Sequence, residues 1–190
     1  IDFIQSKRQI IEDSKVCVID TNIPGDIIDY VVSNYKSTEF FLDTVSSAKA
    51  LKVKDKIGSF HTIKPNRIEA ELLSGIRIES REDMLRASDY FLNQGVKQVF
   101  ITLGEGGVFY NNGKKHQLVP SPKVQVVNAT GAGDAFVAAL TFCRMKDYEI
   151  EEAVRFSMAA SILALSHEET INPNISEEKV FQKMKEAGLC

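Results

Sequence analysis

Short β-branched or aromatic runs alternate with amphipathic helical stretches along most of the chain, and few architectures satisfy that pattern. Residues 15–20 (KVCVID), 39–43 (EFFLD), 60–64 (FHTIK) and 98–103 (QVFITL) read as strands. A first helix is marked by Ile4, Ile10 and Ile11. A second is opened by Pro24, whose fixed φ suits a first helical turn, and carried by Ile27, Ile28, Val31 and Val32. Further helices are expected over 46–56, over 66–74 before Gly75, and over 80–93 before Gly95. Residues 106–111 and 116–127 are expected as antiparallel edge strands joined at Asn112-Gly113, and 131–145, 150–165 and 176–187 as helices. The pattern predicts an α/β fold, a mainly parallel central sheet with helices on both faces, as a single domain over residues 1–190. No repeat, low-complexity segment or linker interrupts it.

With 190 residues, 44% hydrophobic and 26% charged, the chain is long enough to bury a sizeable core. A net charge of -3 gives no basic footprint for nucleic acid, and Lys52, Lys54 and Lys56 read as a solvated face. No apolar run approaches the roughly 18 residues of a membrane span, and no signal peptide is seen, so no membrane partner is expected. Cys17, Cys143 and Cys190 are far apart and form no CxxC pair. The first two read as small buried hydrophobes, and a reducing cytoplasm is the expected compartment. The chain opens on Ile1 inside a helical pattern, IDFIQSKRQIIEDS, so upstream sequence is expected.

Open α/β sheets bind ligands beyond the carboxyl ends of their strands. Here those ends read Asp20-Thr21-Asn22, Asp43-Thr44, Lys64-Pro65-Asn66 and Thr102-Leu103-Gly104. The most informative stretch is residues 128–140, NATGAGDAFVAAL. A strand, VQVV, is expected to run into small residues, with a helix starting near Gly131. Gly131, Ala132 and Gly133 would leave their amides bare at a helix N-terminus, which carries unpaired donors and partial positive charge and so suits a phosphate. Asp134 falls in the first turn. It reads either as a favourable first-turn acid or as a base that takes a proton from an attacking hydroxyl. No Gly-Lys-Ser/Thr follows, so this is not a Walker A loop.

Residues 128–140 resemble the C-terminal signature, DTTGAGD followed by small residues, of the ribokinase-like (PfkB-type) carbohydrate kinases. The resemblance implies that Asp134 is the catalytic base and that the amides of Gly131, Ala132 and Gly133 form the anion hole, with Thr130 on the nucleotide side. Lys64-Pro65-Asn66-Arg67-Ile68-Glu69 resembles the family's PN-x-x-E element. There the glutamate organises magnesium largely through water, and Asn66 lies toward the nucleotide. Read alone, Asn66 and Glu69 are a helix N-cap and a helix-face acid. Thr102-Leu103-Gly104-Glu105-Gly106-Gly107 resembles the T-x-G-x-x-G loop that lines the nucleotide phosphates, which points to Thr102, Gly104 and Gly107. Residues 155–160 match the helix that borders the adenine, with Met158 and Ala159 as candidates there or as plain helix packing. ATP and Mg2+ are the implied cofactors. Asn128 stands where the family often has an aspartate that helps bind a monovalent cation, so weak or absent potassium activation is expected.

The resemblance covers the whole chain, which corresponds to roughly the C-terminal two-thirds of the ribokinase-like fold. The family's N-terminal Gly-Gly-x-x-x-N segment and its lid strands, through which members often pair as homodimers, have no counterpart in this sequence. Asp43-Thr-Val-Ser-Ser-Ala-Lys49, residues 61–75, Asn128 and Ser166–Pro173 resemble the pseudouridine kinase branch. The implied partners are ATP and a small sugar or nucleoside, with pseudouridine as acceptor. Ribose, sugar-phosphate or adenosine kinases of the same fold, and a non-catalytic nucleotide-binding fragment, are the alternatives.

Overall fold

Six strands form where β-branched and aromatic residues run together. The structure is a computed structural model that describes all 190 residues. The strands are β1 (Val16–Asp20), β2 (Glu39–Asp43), β3 (Thr62–Lys64), β4 (Gln98–Thr102), β5 (Val108–Asn111) and β6 (His116–Val119), in the spatial order β1-β2-β3-β4-β5-β6. Strands β1 to β4 pair in parallel, as the strand–helix alternation requires. The register sets Asp20 beside Asp43 and Asp43 beside Lys64, so the polar strand ends lie in one row. An isolated bridge between Asn66 and Thr102 carries the row to β4.

The chain gathers into two compact units, Ile1–Leu103 with Phe109–Leu118 and Gly104–Val108 with Val119–Cys190. Unit 1 carries α1 (Asp2–Ser6), α2 (Arg8–Glu12), α3 (Gly25–Asn34), α4 (Ser47–Ala50), α5 (Arg67–Ser74) and α6 (Arg81–Gln94). Its core joins Phe40, Leu42, Ile63 and Val99 of the strands to Ile28 of α3 and Phe91 of α6. Burial of each such side chain contributes about 1.5–3 kcal/mol. Unit 2 carries α7 (Ala132–Met145), α8 (Ile150–Leu165) and α9 (Glu177–Glu186), with α8 packed on both neighbours. Phe142 stacks on Phe156 at 5.4 Å between centroids, and Phe181 meets Phe156 edge-on. Burial raises the Cys17 thiol and pushes that of Cys143 up to about 12, in keeping with inert apolar side chains.

Several elements differ from the sequence expectation. The first helix is two short ones, broken at Lys7. Residues 46–56 wind as α4 and then as a 3-10 helix, Leu51–Ser59, whose Val53, Ile57 and Gly58 are weak α-helix formers. The edge strands are also shorter than expected. The first starts only at Val108, and the second stops at Val119, because Pro120 and Pro122 have no amide to give a ladder. Residues 124–127 form no strand. Val127 instead donates its amide to the Leu165 carbonyl at the end of α8, at 2.8 Å.

Candidate active site

In unit 1 the row of strand ends becomes a buried polar cluster. The Thr21 hydroxyl donates to the Thr44 carbonyl at 2.6 Å, and Lys64 Nζ lies 3.3 Å from Asp43 Oδ1. Asp43 and Lys64 are both buried, so each charge is offset by the other rather than by water. Asn66 caps α5: its Oδ1 accepts the Glu69 amide at 2.9 Å, and Glu69 Oε2 accepts the Asn66 amide at 2.9 Å. The Thr44 hydroxyl also donates to Glu69 Oε2, at 2.5 Å. Glu69 is only 3% exposed, and Oε1 takes no bond from the protein. Thr102 joins the cluster through its amide, which donates to the Pro65 carbonyl at 3.0 Å. Asn66, Glu69 and Thr102 thus lie in one cluster. The Thr44–Glu69 bond, which spans 25 residues, was not legible in the sequence. The signal that could have found it is the strand register, which sets Asp43-Thr44 beside the Lys64-Pro65-Asn66 turn.

In unit 2 the candidate features are of the backbone. Gly107 has φ +98, and a Cβ there would lie 2.0 Å from the Val119 carbonyl oxygen. Its amide closes a turn on Gly104, at 3.1 Å. Gly131 has φ +86, and a Cβ there would lie 2.2 Å from the Thr170 carbonyl oxygen. It is the N-cap of α7, with no side chain capping the helix. The first bond of the helical ladder is from Ala135 to Gly131, which leaves the amides of Ala132, Gly133 and Asp134 ahead of it. Gly133, Asp134 and Thr130 are exposed. Asn128 Oδ1 accepts the Thr130 amide and Nδ2 donates to the Glu168 carbonyl, each at 2.9 Å. An aspartate would have no proton for that second bond. Ser161 Oγ donates to the Ala132 carbonyl at 2.8 Å, fastening α8 to the start of α7. Met158 and Ala159 are buried in α8. An apolar cavity of about 430 Å3 runs from Gly131 and Asp134 past Ala138 and Phe142 to Phe156 and Val180.

The donor set fits a hard cation. Glu69 offers one unengaged carboxylate oxygen, and oxygen is what magnesium takes. No group of three or more His, Cys, Asp or Glu side chains is placed to hold a metal, so water and phosphate oxygens would supply most of the shell.

A profile of the pfkB family carbohydrate kinases matches residues 4–177. The chain belongs to that family. This pfkB-family chain is 35% identical over 187 residues to the pseudouridine kinase of Escherichia coli (strain K12), covering 98% of itself and 60% of that protein. It is 32% identical over 166 residues to the ribokinase of Staphylococcus aureus (strain COL), covering 86% and 54%. Among solved structures, a candidate sugar kinase from Clostridium perfringens superimposes with a TM-score of 0.93 at 46% identity, covering 97% of this chain and 58% of that one. Arabidopsis thaliana ribokinase complexed with ribose and ATP gives 0.81 at 26% identity, covering 95% and 59%. The expected ribokinase-like fold is therefore present, and the chain spans between 54% and 60% of the length of these pfkB-family relatives.

Proposed function

We propose that this chain is the ATP-binding and catalytic part of a kinase that transfers the γ-phosphoryl group of ATP to a hydroxyl of a sugar or nucleoside, with pseudouridine as acceptor and pseudouridine 5′-phosphate as product. The observation that carries this is the uncapped start of α7, where bare amides stand next to Asp134. The amides of Gly131, Ala132 and Gly133 donate to the oxygens of the transferring group, on which charge grows during the reaction. Asp134 accepts the proton of the attacking hydroxyl on a carboxylate oxygen. As the family resemblance implies, Gly104, Gly107 and Thr130 line the nucleotide phosphates, and Asn66 and Thr102 are further candidates for contact with the nucleotide. Glu69 is the residue that would hold magnesium, which when bound would supply charge neutralisation at the phosphates. Neutral Asn128, already engaged on both sides, offers no anionic ligand to a monovalent cation. Unpaired cysteines and the absence of a helix long and apolar enough to cross a membrane fit a cytoplasmic enzyme.

Pseudouridine is favoured by the 35% identity to the E. coli enzyme and by residues 43–49 and 61–75. Ribose is the second acceptor to test, given the 32% identity to a ribokinase. A panel of pseudouridine, ribose, adenosine and sugar phosphates, read by ADP release, identifies the acceptor. Asp134→Asn is expected to lower turnover by about two orders of magnitude or more, with MgATP affinity unchanged. Near-normal turnover in that variant refutes the role of Asp134.

A further inference from the structure

We propose that Thr44 is a positioning residue for Glu69, holding its carboxylate so that Oε1 is presented to the magnesium–phosphate group. The inference rests on the kinase reading of Glu69. Thr44 is fully buried, and its hydroxyl has one proton to give. That proton goes to Glu69 Oε2, at 2.5 Å. Hydrogen bonds from a hydroxyl to a carboxylate are short and stronger than neutral ones. The second bond to Oε2 comes from the Asn66 amide.

Two donors from different elements matter here because the terminal torsion of a glutamate is broad. The Asn66 amide alone, at the start of α5, would fix where Oε2 sits but leave the plane of the carboxylate loose. Thr44, at the end of β2, supplies the second direction and fixes the plane.

Thr44 is itself held tightly. Its carbonyl accepts the Thr21 hydroxyl at 2.6 Å and the Ser46 amide at 2.5 Å. The next residue, Val45, has φ +55, a conformation that a β-branched side chain rarely adopts, and its amide is tied to Asp43 Oδ1 at 3.2 Å. Strain of this kind persists where the surroundings over-determine the backbone, and it gathers at functional sites.

Thr44→Val keeps the shape and removes the proton, whereas Thr44→Ser keeps the proton. The test is Mn2+ binding in the presence of ADP, followed by water-proton relaxation, on the wild-type chain, both Thr44 variants and Glu69→Gln. Removing a residue that orients a metal ligand typically weakens the metal about 10- to 100-fold, and Thr44→Val is expected to fall in that range. Thr44→Ser should stay within about twofold of wild type, and ADP affinity without metal should not change. Far-ultraviolet circular dichroism checks that each variant is folded. If Thr44→Val is not, Thr44→Ala provides the same comparison. Wild-type Mn2+ affinity in Thr44→Val beside a loss in Glu69→Gln overturns the positioning role and leaves the kinase reading intact. Unchanged affinity in Glu69→Gln, or no metal binding by the wild-type chain, overturns both.

Discussion

Helices α5 and α6 begin closed, and α7 begins open. In α5 and α6 a side chain accepts the third amide of the helix while an acid three residues on reaches back to the N-cap amide, through Asn66 with Glu69 and Ser80 with Asp83. In α7 the same place is taken by a glycine with no side chain to offer, and the first-turn acid, Asp134, is exposed. A capped start spends its donors on its own protein. An uncapped one keeps them for a ligand, and the missing Cβ of Gly131 makes room for the protein's own Thr170 carbonyl, which packs against the start of the helix. Between these extremes, α5 is closed on its amides, yet its Glu69 keeps one oxygen unengaged. The contrast separates a helix start that only stabilises from one that also binds.

The strongest way to break this contrast is Gly131→Ala. Its Cβ would meet the Thr170 carbonyl oxygen at 2.2 Å, and its φ of +86 is unfavourable for any residue with a side chain. The left-handed backbone alone costs about 1–2 kcal/mol, and the start of α7 must shift to relieve the contact. Loss of one well-aimed donor to a developing anion lowers turnover about 100- to 1000-fold, so a fall of that size is expected, with a lower melting temperature. A folded Gly131→Ala variant with wild-type turnover would reduce the open start to an ordinary turn. Ser80→Ala is the matched change at a closed start. It removes the α6 cap, at about 1 kcal/mol, and lowers the melting temperature by about 2–4 °C. Nucleotide affinity should not move. A clear loss of affinity would mean that α6 is not the purely structural member of the comparison.

Much of this contrast was readable from the sequence, because it depends on residue type at fixed spacing. Asn66-x-x-Glu69 and Ser80-x-x-Asp83 are capping-box spacings, and Gly131-Ala132-Gly133 can hold no cap. The parallel strands were equally legible, since the four apolar runs are separated by helical periods. What failed was continuity. VQVV has the composition of a strand, but Pro120 and Pro122 had already ended the ladder, and Val127 pairs with the end of α8 instead. What stayed hidden was long-range. Nothing local to Thr44 says that its hydroxyl points to Glu69, and Lys64 gives no sign of being buried against Asp43 until the register of β2 and β3 is known.

The smallest effect concerns the α6 cap and its dependence on pH. Arg86 beside Asp83 holds that carboxyl well below the usual carboxylate range, helped by the Glu79 amide and the Ser80 hydroxyl. In the unfolded chain these partners are gone and the group returns to its ordinary value. Because the folded value is the depressed one, the stabilisation is complete above the ordinary carboxylate range. It is lost as pH falls through that range toward the folded value. The site is on the surface, so salt should weaken the effect as well. Asp83→Asn removes the charge at every pH. Its melting temperature should therefore lie below wild type at neutral pH, and the gap should narrow below about pH 4. Thermal melts of the two proteins from pH 7 to pH 3 check this, with the other carboxylates common to both. A gap that stays constant over that range would show that Asp83 caps α6 through geometry alone, and its charge would then have no part in closing the helix start.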